Sequence, residues 1–198
     1  MKKDDDKVKE TALKYHIDQG GKRYTYADYV SWDTEDRYEL IDGVAYLMST
    51  PLVIHQRILR KLLVRFDIFL EGKKCEVFCA PFGVRLFGRG DDDDTVVQPD
   101  ILVICNQSKM DEKGGNGAPD LIIEILSPSN PRHDKVRKFN KYLQAGVREY
   151  WIVDPESKTV SVHILENGKY VTREYADTDT ISVHVLEGCK INMPDVFA

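Results

Sequence analysis

A glutamate stands inside the apolar run Leu121-Ile122-Ile123-Glu124-Ile125-Leu126, which otherwise reads as a buried strand. An ionised carboxylate is too costly to bury alone. Glu124 must therefore be neutral, paired with a cation, or bound to a metal. A second acid, Asp100, ends the turn Gln98-Pro99-Asp100 and opens another apolar run, Ile101-Leu102-Val103-Ile104. The glycine-rich loop between the runs (Gly114, Gly115, Gly117) permits a hairpin that brings the two acids together. Two close carboxylates repel, which raises one pKa. A divalent cation removes that penalty, and hard oxygen ligands favour Mg²⁺ or Mn²⁺. Such a site can generate hydroxide and stabilise a phosphorane-like transition state. Strand alternation puts Asp120 on the same face as Glu124, but at the strand's start after Pro119. Asp100 is the better partner.

The 198 residues fit one domain. We expect a polar N-terminal extension over residues 1–20 and a single domain over 21–198. A net charge of −5 argues against non-specific coating of nucleic acid, while leaving room for a local basic groove. No apolar run is long enough to span a bilayer, so no membrane role is expected. The start, MKKDDDKVKE, lacks an apolar signal core, which points to the cytoplasm. Cys75, Cys79, Cys105 and Cys189 have no zinc-like pattern and read as free, mostly buried thiols. Nothing suggests an organic cofactor.

Along the chain, Thr25 to Asp28 opens a short helix reaching about Trp32. Tyr38 to Met48 forms a hairpin around Asp42-Gly43. Ile54, Ile58, Leu62, Phe66 and Phe69 mark an amphipathic helix from Pro51 to Leu70, stopped by Gly72. Strands are expected at 76–79, 84–87, 96–104 and 119–127. The charged segment from Arg89 to Asp94 reads as a solvated loop. A helix runs from about His133 to Ala145, ended by Gly146, with the Ser127–Pro131 segment as its cap. Strands near 147–153, 159–164, 170–171 and 181–185 then close the sheet. The order suits an α/β, mixed α+β layer fold, with a central mixed sheet flanked by helices.

The helix after Pro131 is rich in positive charge: Arg132, Lys135, Arg137, Lys138 and Lys141, followed by Arg148. Asp134, Lys138 and Tyr142 recur every four residues and share a face. The amine on that face can position a water or stabilise a pentavalent phosphate.

Several blocks together resemble the Uma family, a bacterial family labelled restriction endonucleases within the PD-(D/E)XK nuclease superfamily. They are Glu39-Leu40-Ile41-Asp42-Gly43, Pro99-Asp100, and Pro119 through Ser129. They continue with Asp134, Lys138 and Tyr142, and end with Gly146 through Pro155. The resemblance covers roughly residues 24–190. It implies a restriction-endonuclease-like core and metal-dependent phosphodiester cleavage. By position, Glu39 matches the superfamily's early acid, Asp100 its aspartate, and Glu124 the first member of its E-x-K step. Leu126 stands where that step has lysine. The resemblance implies a lysine relocated to the following helix, with Lys138 the match and Lys135 the runner-up. Asp100, Glu124 and Glu39 would hold Mg²⁺ or Mn²⁺.

The partner implied is DNA, and a homodimer would supply two sites for the two strands of a duplex. His55, Asp134, Lys135 and Tyr142 are additional site candidates. Each candidate also has a plain structural reading. Glu39 can serve a cross-strand salt bridge, Lys138 a surface pair with Asp134, Tyr142 and His55 core packing. The alternative function is a nuclease fold without cleavage that binds DNA or protein, and Leu126 favours it. A structural or regulatory partner is a third.

Overall fold

The computed structural model describes residues 21–127 and 132–198; the side chains of 132–135 lie outside what it describes. The expected N-terminal extension and the Pro128–Pro131 cap therefore fall outside the described residues, as do the side chains of Asp134 and Lys135.

The first half of the chain runs α1 (Tyr26–Val30), β1 (Tyr38–Ile41), β2 (Val44–Leu47), α2 (Val53–Leu70), β3 (Glu76–Cys79), β4 (Val84–Arg85), β5 (Val96–Val97) and β6 (Ile101–Ile104). It continues with β7 (Met110–Asp111), β8 (Gly114–Asn116), β9 (Leu121–Ile125), α3 (Arg132–Ala145), β10 (Glu149–Asp154), β11 (Thr159–Glu166), β12 (Lys169–Ala176), β13 (Thr180–Ser182), β14 (Lys190–Asn192) and α4 (Met193–Phe197).

Two six-stranded sheets result, where one was expected. The larger has the order β12-β11-β10-β9-β6-β3; the other has β2-β1-β5-β4-β8-β7. Both are mixed, each with one parallel pair: β9–β10 and β4–β8. The expected 96–104 strand divides because the Gln98-Pro99-Asp100 turn sends β5 into one sheet and β6 into the other. The glycine-rich loop joins β6 and β9 as an antiparallel pair, as expected, but its own residues pair as β7 and β8 in the second sheet. Residues 181–185 do not close the main sheet either. Ile181 belongs to the small β13–β14 ribbon, which packs into the main core.

Strand β9 is covered on both faces, and this explains its continuous apolar run. Leu121, Ile123 and Ile125 join Ile58, Leu62 and Phe66 of α2 and Trp151 of β10. Ile122, on the opposite face, packs with Leu102, Tyr142, Tyr150 and Val97. Each buried aliphatic or aromatic side chain contributes about 1.5–3 kcal/mol. The buried stripe of α2 is His55, Ile58, Leu62, Phe66 and Leu70. Ile54, expected on that stripe, is instead 44% exposed. A one-residue step around the helix turns it away and brings His55 in.

The β1–β2 hairpin turns through Asp42 and Gly43, both at positive φ (53° and 74°), as a tight primed turn requires. A Cβ at Gly43 would meet Arg23 Cβ at 2.8 Å. Helix α3 ends at Gly146, φ 81°, whose N–H bonds the Leu143 carbonyl at 3.1 Å.

Cys75 and Cys105 form a disulfide, which corrects the reading of four thiols; Cys79 and Cys189 remain thiols. The antiparallel register of β3 and β6 pairs Glu76 with Ile104. One step further sets Cys75 opposite Cys105. Within the charged loop, Asp93 is fully buried rather than solvated. Its carboxylate accepts bonds from the backbone N–H groups of Phe87 and Thr95, at 2.9 and 3.1 Å. Among the described residues, no helix is long and apolar enough to cross a membrane.

Candidate active site

Three acids, Glu39 on β1, Asp100 in the turn before β6 and Glu124 on β9, come near α3. The β6–β9 register pairs Ile101 with Ile123, so its continuation sets Asp100 opposite Glu124. Asp100 Oδ2 accepts the Ile125 backbone N–H at 2.7 Å, which fixes the carboxylate against the β9 backbone. The same oxygen lies 3.0 Å from His55 Nε2. His55 Nδ1 is buried with no hydrogen-bond partner among the described residues. Glu39, on β1, is almost fully buried, and its Oε1 accepts the Gln98 backbone N–H at 2.8 Å. Asp100 and Glu39 are thus tied to the two ends of one three-residue turn.

Lys138 enters from α3. Its ammonium stands 2.7 Å from Glu39 Oε2 and 3.1 Å from Glu124 Oε1. Tyr142, one helical turn on, donates its phenol to Glu124 Oε1 at 2.6 Å. Lys138 and Tyr142 share a face of α3, and Tyr142 is fully buried as well as a donor to Glu124. Two neighbouring contacts hold α3 to the hairpin. Lys141 Nζ lies 2.6 Å from Asp42 Oδ1, and the Arg137 guanidinium sits 4.4 Å from the Tyr46 ring centroid.

Three carboxylates gather here with the Lys138 ammonium, and the Arg37 and Arg137 guanidiniums border the same cleft. Burial pushes the Glu124 carboxyl up to about 7; Lys138 pulls it down, Asp100 and Glu39 push it up, and the Tyr142 hydrogen bond lowers it. Burial first, and then the charges of Glu124 and Glu39, hold the Tyr142 phenol well above its ordinary value. The carboxylate oxygens of Asp100 and Glu124, at opposed register positions, are donors of the kind a hard divalent cation takes. Among the described residues, no group of three or more His, Cys, Asp and Glu is placed to hold a metal ion. Mg²⁺ characteristically takes one or two carboxylates and fills its shell with water and phosphate oxygens. The residues fit that mode.

The acids line a cleft of about 430 Å³, which Arg37, Tyr46, His55 and Arg137 also border. Of the described basic side chains after Pro131, Arg137 and Lys138 reach it. Lys141 is spent on Asp42. Arg148 pairs with Asp120, whose other oxygen accepts the Cys105 N–H, so Asp120 is a buried tether away from the cleft.

Gln98 and Arg37 escaped notice in the sequence. Arg37 donates to Gln98 Oε1 through Nη2 and Nε, at 2.7 and 3.1 Å. Gln98 Nε2 donates to the Tyr29 hydroxyl at 2.8 Å. The turn Gln98-Pro99-Asp100 was the available signal for Gln98; Arg37 carried none.

Residues 26–194 match a protein family described as "putative restriction endonuclease". An uncharacterized protein, slr1290, of Synechocystis sp. (strain PCC 6803) is 24% identical over 156 residues, covering 77% of this chain and 80% of its own. A crystal structure from Anabaena variabilis ATCC 29413, described as "a putative nuclease belonging to DUF820", superposes with a TM-score of 0.71 at 22% identity. It covers 87% of this chain and 97% of the other. That likeness establishes the shared fold.

Proposed function

Because the chain belongs to the Uma2 family of putative restriction endonucleases, we propose that it is a metal-dependent nuclease hydrolysing phosphodiester bonds in DNA. The observation that carries this reading is the meeting of Glu39 and Glu124 on the Lys138 ammonium, with Asp100 opposite Glu124 in the continued register. Asp100 and Glu124, with Glu39 beside them, would hold Mg²⁺ or Mn²⁺. The bound cation supplies Lewis acidity and neutralises charge on the phosphate.

The chain's own residues do the rest. Lys138 takes the place of the superfamily lysine that Leu126 replaces. Its ammonium is held by Glu39 and Glu124, so it can orient a water by hydrogen bonding and stabilise negative charge on the phosphoryl oxygens. Tyr142 fixes Glu124, and the Ile125 N–H fixes Asp100. Arg37 and Arg137 border the cleft as phosphate partners, which position a backbone without reading its sequence. Cutting both strands of a duplex calls for two such sites, and a homodimer is the simplest source.

The test is nicking of supercoiled plasmid in Mg²⁺ or Mn²⁺ by wild-type protein, Asp100→Ala and Lys138→Met. We expect nicking by the wild type alone. DNA binding without cleavage in either metal would replace this reading with that of a binding module.

A further inference from the structure

Tyr46 is directly opposite Glu39 in the β1–β2 register, so the two side chains share a face of the hairpin. Its half-buried ring lines the same cleft as the acids. The Arg137 guanidinium stacks on it at 4.4 Å. A base stacking on Tyr46 from the cleft would add to that guanidinium–phenol stack. Its phosphate would then lie towards the acids next door.

The acids are deep. Side-chain exposure is 5% for Glu39, 13% for Glu124 and 17% for Asp100. A phosphate on the rigid surface of an intact duplex must bring its flanking phosphates and paired strand to the mouth of the cleft. A single strand can turn one nucleotide inward. The described cleft, about 430 Å³, is in the range of small-ligand pockets and large enough for a nucleotide.

Leu47 lines the cleft and is exposed, and Leu52, Val53 and Ile54 are exposed at the start of α2, next to Pro51, which also lines it. Duplex DNA offers mainly phosphates to a protein surface and is held by Lys and Arg. Unpaired bases offer apolar faces, which such a lip receives.

We propose that the cleft receives an unpaired nucleotide, its base stacked on Tyr46, and that the substrate is single-stranded DNA, including the strands that supercoiling transiently unpairs in a plasmid. This rests on the nuclease reading for its chemistry, but its binding prediction is separate. A single strand needs one active site, so cleavage of this substrate does not depend on a dimer.

The experiment is fluorescence anisotropy with a labelled oligothymidine and a labelled hairpin duplex of equal length. Ca²⁺ is supplied in place of Mg²⁺ to limit cutting. Wild type, Tyr46→Ala and Tyr46→Phe are compared after thermal melts show that each is folded. Wild type should bind the single strand tighter than the duplex. Tyr46→Ala should lose on the order of tenfold for the single strand and leave duplex binding unchanged, and Tyr46→Phe should retain the preference. Equal binding of both DNAs, or a Tyr46→Ala effect that is absent or shared by both, overturns the proposal. If plasmid nicking survives such a result, the nuclease reading stands without it. Tyr46-dependent single-strand binding with no cleavage in any metal supports this proposal and overturns the catalytic reading.

Discussion

The ammonium of Lys138 lies 2.7 Å from Oε2 of Glu39, joining two residues 99 positions apart in the chain. Both side chains are nearly inaccessible to water. The same ammonium reaches Glu124, so one charge from α3 holds together acids from both sheets.

Lys138→Met should be strongly destabilising above neutral pH, by about 3–5 kcal/mol, because it leaves buried carboxylates without their cation. At about pH 5 the loss should shrink, since Glu124 can take up a proton. Urea melts at the two pH values measure the difference. An equal loss at both would show that the ammonium is not what compensates Glu124.

Glu124 makes stability fall as pH rises. Its folded pKa is about 7, against an ordinary value of 4.5. Between those values the folded state binds the extra proton, so the group's stabilisation is present at low pH and lost on passing 7. The span corresponds to about 3 kcal/mol as an order of magnitude. Glu124→Gln should flatten the stability profile between about pH 5 and 8. Unchanged slopes for wild type and variant would place the buried proton elsewhere.

Tyr142→Phe removes a single oxygen from a packed site. The phenol donates to Glu124 Oε1 at 2.6 Å and lowers that acid's pKa. The variant should lose about 1–3 kcal/mol at pH 8, where Glu124 is ionised. It should also shift the Glu124 titration to higher pH. NMR of carboxyl-labelled glutamate reads that shift, and a shift to lower pH would contradict the bond's role.

Lys141→Ala separates positioning from stability. The Lys141–Asp42 pair is partly solvated on the Asp42 side, so its loss should cost only about 0.5 kcal/mol. It ties α3 to the hairpin that carries Glu39. If that tie holds the site in register, plasmid nicking should drop by about tenfold or more while the melting curve barely moves. Full activity would show that Lys138 and Arg137 suffice to dock α3.

Asp100 and Glu124 were legible because an acid in an apolar run is a local contradiction with few resolutions. Glu39 and Lys138 stood out in their own segments as an acid beside an apolar run and an amine on a helix face, but only the family resemblance put them with Asp100 and Glu124, since nothing in those segments says that they touch. The register of β1 against β2 set Tyr46 beside Glu39, and the register of β3 against β6 set Cys75 against Cys105. Such pairings depend on strand alignment, which composition does not encode. His55 was seen as a candidate, but the helix was read with Ile54 inward. A helical face shifts by one residue when both neighbours are apolar enough to compete. The doubling of the sheet was hidden because Gln98-Pro99-Asp100 looked like an interruption within one strand. It is a crossing between sheets, and it brings Glu39 and Asp100 to the same place.

The central claim is that Asp100 and Glu124 hold a divalent cation. Calorimetric titration of Mn²⁺ into wild type, Asp100→Asn and Glu124→Gln tests it most directly, at about pH 6.5 in buffers of differing ionisation enthalpy. The wild type should bind one ion and release up to about one proton, because the cation displaces the proton that burial keeps on Glu124. Both variants should lose binding. If the wild type shows no binding, or the variants bind Mn²⁺ as it does, these acids are not a cation site.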